Sequence, residues 1–227
     1  MKKAEETTIQ KVNPSELKVR LTFTEPVLGT MPANENVYTD YIGSKAPDPK
    51  TIEDEIDALG IDGAAEKGMT IFPKLPDGTP FLYDYHIKGF FKGACGFLRD
   101  VKGTESAALK AYKKKIDGLI FVSPRCIPFT NAEAIDICQR PLRAQTLQGE
   151  RVALAMSEQV PAGAQVEFTV KCLNPEYEKA VREWLDYGEL SGIGQWRGSG
   201  RGRYLWDELD ADGNVIGGNN RDRTAGK

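Results

Sequence analysis

The sequence predicts an α+β fold, with a mostly antiparallel sheet that carries its helices on one face. Three observations predict it. Residues 17–23 alternate apolar and polar side chains, which is typical of a half-buried strand. Residues 85–99 and 177–187 repeat apolar side chains at helical spacing, so each helix has one face to bury. Short apolar runs between and after these helices supply further strands.

The first part of the chain follows in order. Residues 1–15 are polar, and we expect a flexible lead-in there. After the strand at 17–23, short helices are predicted at 34–45 and 51–60, and Thr51 caps the second of them.

The middle of the chain predicts two strands around a turn and then a helix. A short strand at 69–72 precedes a turn at 76–80, whose Pro-Asp-Gly sequence is typical of a hairpin that leads into strand 81–83. The helix at 85–99 follows. Residues 116–122 form an apolar run that predicts another strand.

The last part predicts more antiparallel pairing. Residues 130–150 have weak periodicity and predict a loop or a long hairpin. Strands at 152–156 and 166–170 flank a Pro-Ala-Gly connection. The second long helix leads to a glycine-rich segment and a strand at 204–206. The remaining tail is polar and is predicted to be disordered.

Composition and charge narrow the class of protein. The chain is 40% hydrophobic and 28% charged, as in ordinary globular domains, and its net charge is −3. The charge is segregated, because residues 48–66 hold seven acids and one base, whereas 110–115 hold four lysines and no acid. Four dispersed cysteines and one histidine predict neither a metal site nor a cofactor. The absence of a long apolar run or signal peptide predicts a cytoplasmic protein without membrane association.

The most informative segment is 188–204, which combines six glycines with three arginines and one tryptophan. Glycine allows a close approach of backbone to ligand, and exposed N–H groups in such a loop can bind anions. Arginine matches phosphate geometry, and an indole can stack on a base. The segment therefore suits a nucleic-acid backbone, while a mobile connector without a ligand is the alternative. It fits neither the dinucleotide fingerprint nor a Walker loop.

Three segments together resemble the RAMP superfamily, the ferredoxin-like RNA-binding proteins of CRISPR effector complexes, and most of all their backbone subunits. They are residues 85–93 (YHIKGFFKG), 158–168 (EQVPAGAQVEF) and 192–202 (GIGQWRGSGRG), in the family's order. The resemblance implies a ferredoxin-like (RRM-like) RAMP fold. Residues 24–80 are acidic and depart from the family pattern, so a stand-alone, phage-encoded or prophage-encoded member is one interpretation. Such a member would act in a bacterial host cytosol.

The predicted organisation follows from this resemblance. One RAMP-like domain spans 16–206, and 24–80 and 123–150 are inserted or protruding segments. The tail is then 207–227.

The resemblance implies a non-catalytic protein that binds single-stranded RNA or DNA, RNA above all, and that polymerises along the strand or associates with CRISPR-type subunits. The family brings the helix lysines, the hairpin arginines and the glycine-rich segment to one rim of the sheet. The predicted binding residues are Lys88, Lys92, Arg140, Arg143, Arg151, Gly192, Gly194, Trp196, Arg197, Gly198, Gly200, Arg201 and Arg203. An ordinary solvated helix face and local ion pairs are the alternatives for the lysines and the hairpin arginines.

Two alternative functions remain at this point. The acidic segment 48–66 would let the protein imitate nucleic acid and inhibit a host CRISPR complex. Alternatively, the chain is a RAMP-type endoribonuclease with His86 as general acid or base. A structural or phosphate-contact role is favoured for His86, because it lies in a different segment from the histidine of the processing enzymes.

Overall fold

The computed structural model describes residues 14–33, 69–132, 135–146 and 149–219. The helices predicted at 34–45 and 51–60, and the acidic segment 48–66, lie outside the described residues.

The described residues form twelve strands and four α-helices. The strands are β1 Ser15–Phe23, β2 Val27–Leu28, β3 Met31–Pro32, β4 Thr70–Ile71, β5 Phe81–Tyr83, β6 Ile120–Ser123, β7 Cys126–Thr130, β8 Asp136–Thr146, β9 Gly149–Val160, β10 Gln165–Cys172, β11 Tyr204–Leu209 and β12 Val215–Gly218. The helices are α1 Asp84–Leu98, α2 Glu105–Ala108, α3 Tyr112–Leu119 and α4 Tyr177–Ser191. A single 3₁₀ turn, Arg197–Ser199, follows α4.

The main sheet has the ferredoxin-like arrangement. Its strand order is β12-β11-β1-β10-β7-β5, and β6 also pairs with β10. Strand β1 is central, with Val19 opposite Phe168 of β10 and Glu208 of β11. The chain therefore follows the order β1-α1-β6/β7-β10-α4-β11, in which the two helices are the crossovers of a split βαβ pair. This confirms the predicted fold class.

The helices cover one face of this sheet. In β1 and β10 every second residue is buried, as the alternating sequence predicts. That buried face packs against the apolar stripes of α1 and α4, where Phe91 and Trp184 lie with ring centroids 5.5 Å apart. The opposite face carries polar pairs such as Arg20 with Glu167, at 2.7 Å. Burial of one face per element is what holds the two layers together.

A second sheet is built from segments between the ferredoxin elements. Its order is β2-β9-β4-β3, and β8 pairs with β9 to form a long hairpin whose register runs from Asp136–Gln159 to Thr146–Gly149. The hairpin reaches Val160, beyond the end of the predicted insertion at 123–150. All pairs in the two sheets are antiparallel except β4 with β9, so the sheet is mostly antiparallel, as predicted.

The predicted strand at 116–122 is wrong in its first half. Residues 112–119 are helical, and the strand begins only at Ile120. Ile116 and Ile120 are both buried, but the intervening Asp117 and Gly118 are exposed, so the burial pattern is helical and not that of a strand.

Two further segments differ from the sequence interpretation. The Pro-Ala-Gly connection does not join paired strands, because β9 belongs to the second sheet and β10 to the main sheet. Its Gly163 N–H donates to the Phe23 carbonyl at 2.8 Å, so the turn crosses the end of β1. The predicted tail holds ordered structure, because β11 reaches Leu209 and pairs with β12.

Candidate nucleic-acid interface

The glycine-rich loop, residues 192–203, begins where α4 ends. Gly192 has φ +72°, and its N–H donates to the Gly188 carbonyl at 3.0 Å, which closes the helix. The loop then returns on itself, since the Ile193 N–H donates to the Gly202 carbonyl at 2.9 Å. The Gly202 N–H donates to the Pro26 carbonyl, also at 2.9 Å, which ties the loop to the segment after β1.

Three glycines of this loop serve its closure. A Cβ at Gly202 would lie 1.9 Å from the Ile193 carbonyl oxygen, and one at Gly192 would lie 2.5 Å from that of Arg201. At Gly194 the nearest atom would be the Leu28 carbonyl oxygen, at 3.2 Å. Backbone therefore packs directly on backbone at these three positions. Their glycines are explained by the fold, without a ligand.

The tip of the loop is open. A Cβ at Gly198 would meet no atom within 4 Å, and Arg197, Gly198 and Ser199 are exposed. The tip is a 3₁₀ turn in which the Ser199 N–H donates to the Trp196 carbonyl at 2.9 Å. Gly200 ends it with φ +84°, a conformation that favours glycine.

The β8–β9 hairpin packs on this tip through β8. The Arg140 guanidinium lies 5.4 Å from the Trp196 ring centroid and donates to the Ser199 hydroxyl at 2.7 Å. Arg201 contacts the Cys138 sulfur at 3.9 Å. Two segments that are about sixty residues apart in sequence thus form one surface. We call it the hairpin–loop surface, and it consists of Arg140, Trp196, Arg197, Ser199 and Arg201.

The hairpin–loop surface is cationic. Among the described side chains, those of residues 14–33, 69–132, 135–141 and 154–219, no carboxylate forms an ion pair with Arg140, Arg197, Arg201 or the adjoining Arg203. Elsewhere a carboxylate compensates the positive charge of an arginine, as Glu208 does for Arg182 at 2.8 Å. Four guanidinium groups close to one exposed turn therefore present planar donors that suit phosphate.

A groove adjoins the tip on the side of the helices. A Cβ at Gly93 of α1 would lie 3.8 Å from a terminal nitrogen of Arg197, so this arginine lies across the helix at that position. The groove has a volume of about 610 Å³, and its wall includes Phe97 from α1 and Tyr187 and Ser191 from α4. Phe97 is 67% exposed, with its ring centroid 6.4 Å from that of Tyr187. The two rings offer stacking surface beside the arginines.

The two predicted helix lysines contact a different element. The Lys88 ammonium donates to the Asp117 carbonyl at 3.1 Å and lies 5.1 Å from the Phe121 ring centroid. Lys92 forms an ion pair with the Asp117 carboxylate at 2.5 Å. With about 100° between successive residues of a helix, position 93 lies on another side of α1 from position 88. Through Asp117, both lysines join α1 to α3. Arg197 lies against a different side of α1, at Gly93.

The remaining hairpin arginines lie further along the hairpin. The backbone register places Arg143 opposite Val152 and Arg151 opposite Ala144. Because faces alternate along a strand and are shared by directly opposite residues, position 151 is on the same face as position 140, and position 143 is on the other.

His86, the weak catalytic candidate, is engaged within the fold. The Tyr83 backbone N–H donates to its Nδ1 at 3.3 Å, and its Nε2 lies 3.4 Å from the Thr30 hydroxyl. Burial lowers the pKa of this imidazole. The imidazole thus bonds the start of α1 and faces Thr30, and whether His86 also takes part in catalysis stays a prediction.

Sequence reasoning missed the aromatic wall of the groove and the Cys138 contact. Phe97 lies in a helix whose apolar stripe predicts core residues, and only its exposure separates it from them. Tyr187 ends the apolar stripe of α4 in the same way. The helical period predicts which side chains share a face of a helix. It does not predict which apolar side chains stay exposed, because their exposure depends on the other elements that pack against the helix.

Comparisons with known proteins support the fold. No protein-family model matches the sequence, and no curated protein matches it either. Among solved structures, a chain of the Type III-B Cmr-beta complex bound to cognate target RNA is similar, with a TM-score of 0.50 and 10% sequence identity. The match covers 87% of this chain and 59% of the other, so this chain spans well under two thirds of its neighbour's length. At 10% sequence identity, this likeness shows a shared fold and no more.

Two kinds of feature are not found in the described part of the chain. None of the helices within 14–33, 69–132, 135–146 and 149–219 is long and apolar enough to cross a bilayer. In the same ranges no group of three or more histidine, cysteine or acidic side chains is arranged to hold a metal ion.

Proposed function

We propose that this protein binds single-stranded RNA without cleaving it, and that the hairpin–loop surface contacts the phosphates. One observation carries the proposal. Four guanidinium groups, three from the glycine-rich loop and one from β8, lie close to an exposed turn and have no carboxylate partner among the described side chains. Unpaired cationic side chains beside open backbone are what a phosphodiester strand requires.

Two further observations support RNA as the ligand. The similar solved chain belongs to a complex bound to target RNA. The groove beside the turn exposes Phe97 and Tyr187, which suits the unstacked bases of a single strand. Because RNA duplexes conceal their bases, a single strand is the better partner for this groove.

The test is a fluorescence-anisotropy titration of labelled single-stranded RNA at low salt. Changing Arg197→Ala together with Arg201→Ala removes two charges from the surface, and we expect at least a tenfold loss of affinity. Lys113→Ala with Lys114→Ala is the charge-matched control, because both lysines are exposed on α3. If the arginine pair and the lysine pair weaken binding equally, the effect is one of net charge and the proposal fails.

Two more arms sharpen the assignment. Lys88→Ala with Lys92→Ala should weaken binding far less than the arginine pair, because both ammonium groups already bond Asp117. A single-stranded DNA of the same sequence reports whether the 2′-hydroxyl contributes. The RNA should also remain intact during long incubation, and its cleavage, abolished by His86→Ala, would favour the endoribonuclease instead.

The proposal extends to association with other subunits. The similar chain comes from a structure of the Type III-B Cmr-beta bound to cognate target RNA. The three sequence segments resemble those of CRISPR backbone subunits. We expect further copies of this chain, or CRISPR-type subunits, to assemble when RNA is present. Sedimentation velocity with RNAs of increasing length should give complexes whose mass rises stepwise, and one copy per RNA at every length would contradict self-association.

A further inference from the structure

A second cavity lies beside the first turn of α1, away from the hairpin–loop surface. Its volume is about 590 Å³, which is within the range of small-ligand sites. Part of its lining is aromatic and polar, from Tyr83, Tyr85, His86 and Arg125. The rest includes the apolar Met31 and Pro73, so four separate parts of the chain line it.

The aromatic lining forms a flat stack. The rings of Tyr83 and Tyr85 are nearly parallel, at 16°, with centroids 4.9 Å apart. The Arg125 guanidinium lies 5.5 Å and 5.4 Å from these two centroids. Tyr85 is 48% exposed, so the stack reaches the mouth of the cavity. Stacked rings with an adjoining guanidinium provide the surface on which planar heterocycles bind.

The polar groups of the cavity carry little net charge. Arg125 donates to the Asp84 carboxylate at 2.9 Å, and the negative charge of that carboxylate offsets the positive charge of the guanidinium. His86 is held neutral by burial, which lowers its pKa, and its Nε2 faces the Thr30 hydroxyl at 3.4 Å. A bare phosphate therefore gains little here, because the carboxylate repels it. A neutral planar group with a hydrogen-bonding edge fits better.

We propose that this cavity binds a nucleobase, which stacks against Tyr85 and Arg125 and hydrogen-bonds at its edge with the Thr30–His86 pair. The base has two sources, a free nucleoside or nucleotide and a base of the RNA strand. The second source rests on the proposed function, whereas the first does not.

The first experiment uses the full chain and free ligands. Saturation-transfer NMR is recorded with adenosine, guanosine, cytidine and uridine, and then with inorganic phosphate as competitor. We expect base-proton signals for at least one nucleoside, and no loss of them when phosphate is added. Complete displacement by phosphate would show an anion site and would overturn the proposal.

Two variants link the signals to the cavity. Tyr85→Leu removes the stacking ring at a half-exposed position, and we expect at least a fivefold loss of nucleoside affinity. Phe121→Leu is the matched control, since it also replaces an exposed aromatic side chain by leucine, on β6. Arg125→Gln is the second test, because it removes the cation and keeps a planar side chain. Unchanged nucleoside affinity in both Tyr85→Leu and Arg125→Gln would overturn the assignment.

Measuring RNA binding by the same variants distinguishes a free nucleoside from a base of the RNA strand. It also distinguishes failure of this inference from failure of the proposed function. If Tyr85→Leu weakens RNA binding and nucleosides compete with RNA, the cavity holds a base of the strand. If nucleosides bind and RNA affinity is unchanged in the variant, the site serves a free nucleoside. If RNA does not bind at all but nucleosides do, the proposed function fails while this inference stands. No nucleoside signal, with RNA affinity unchanged in Tyr85→Leu, overturns it.

Discussion

At the scale of single residues, the glycines of the glycine-rich loop divide into two kinds. Gly202 has φ +70°, and a Cβ there would lie only 1.9 Å from the Ile193 carbonyl oxygen. A Cβ at Gly198 would meet no atom within 4 Å. The two glycines therefore serve different ends, since one closes the loop and the other keeps the tip accessible.

We expect Gly202→Ala to destabilise the protein by at least about 1 kcal/mol, because the side chain meets backbone and the backbone conformation is strained. Gly198→Ala is the control and should change the free energy of unfolding by less than about 0.5 kcal/mol. Urea denaturation of both variants measures the difference. Equal stabilities would show that the loop closes in a different way.

His86 gives a second prediction at this scale, because it is the single histidine of the chain. The pKa of a histidine in the unfolded chain is about 6.5, and burial makes the pKa of His86 lower than this in the folded state. As the pH falls below about 6.5, the unfolded chain therefore binds a proton more readily than the folded protein does. Stability should therefore fall as pH decreases from 6.5 towards 5. His86→Gln lacks this titration, and its free energy of unfolding should vary less over that window. Parallel curves for wild type and variant would contradict a lowered pKa of this half-buried imidazole.

At the scale of secondary-structure elements, the contact of β8 with the glycine-rich loop decides whether a shared surface exists. Arg140 reaches both the Trp196 ring and the Ser199 hydroxyl. A double-mutant cycle of Arg140→Ala and Ser199→Ala should give a coupling energy of about 0.5–1 kcal/mol, as for an exposed charged contact. Gln139→Ala with Ser199→Ala is the control, because position 139 is on the other face of the hairpin. A coupling near zero for Arg140 would mean that the hairpin moves independently.

Helix α4 provides a test of the layer packing. Trp184 is fully buried and donates its indole N–H to the Ser106 hydroxyl at 2.9 Å, whereas Leu190 on the same helix is 67% exposed. Trp184→Ala should cost about 3–5 kcal/mol, because it leaves a large cavity in the core. Leu190→Ala should cost less than about 0.5 kcal/mol. Thermal and urea unfolding would measure both, and similar destabilisation of the two variants would contradict the orientation of α4.

At the scale of the whole molecule, a net charge of −3 coexists with a local cluster of arginines. If the proposed function holds, affinity for RNA depends on this cluster and not on the net charge. Each phosphate of a single strand that the protein neutralises adds about 0.7 to the steepness of log affinity against log salt. Arg197→Ala with Arg201→Ala should therefore flatten this slope by about 1.4, while Lys113→Ala with Lys114→Ala should leave it nearly unchanged. An unchanged slope in the arginine variant would show that these residues do not bind phosphate.

The fold class was predictable because its signals are local. The alternation at 17–23 and the apolar stripes of α1 and α4 are patterns among residues two to four positions apart in the sequence. The strand and the two helices lie in the structure where these patterns predict them. The region of 116–122 was not predictable in the same way, because a short apolar run suits a strand as well as a helix that buries Ile116.

The candidate site was predictable only in part. The sequence identified the glycine-rich loop and Arg140, but their contact joins positions about sixty residues apart and follows from how the hairpin leaves the second sheet. It also grouped Lys88 and Lys92 with the loop arginines, whereas in the structure their ammonium groups bond Asp117. Whether either lysine contacts RNA stays a prediction.

The sequence by itself determined the α+β class, the strand at 17–23, the two packing helices and the glycine-rich loop as the candidate phosphate contact. The tertiary structure decided which arginines share a surface, which glycines close the loop, and that a tyrosine pair and Arg125 enclose a second cavity. The physical reason is the range of the interactions. Hydrophobic periodicity acts between neighbours along the chain, whereas a surface forms from segments that meet only when the core is buried.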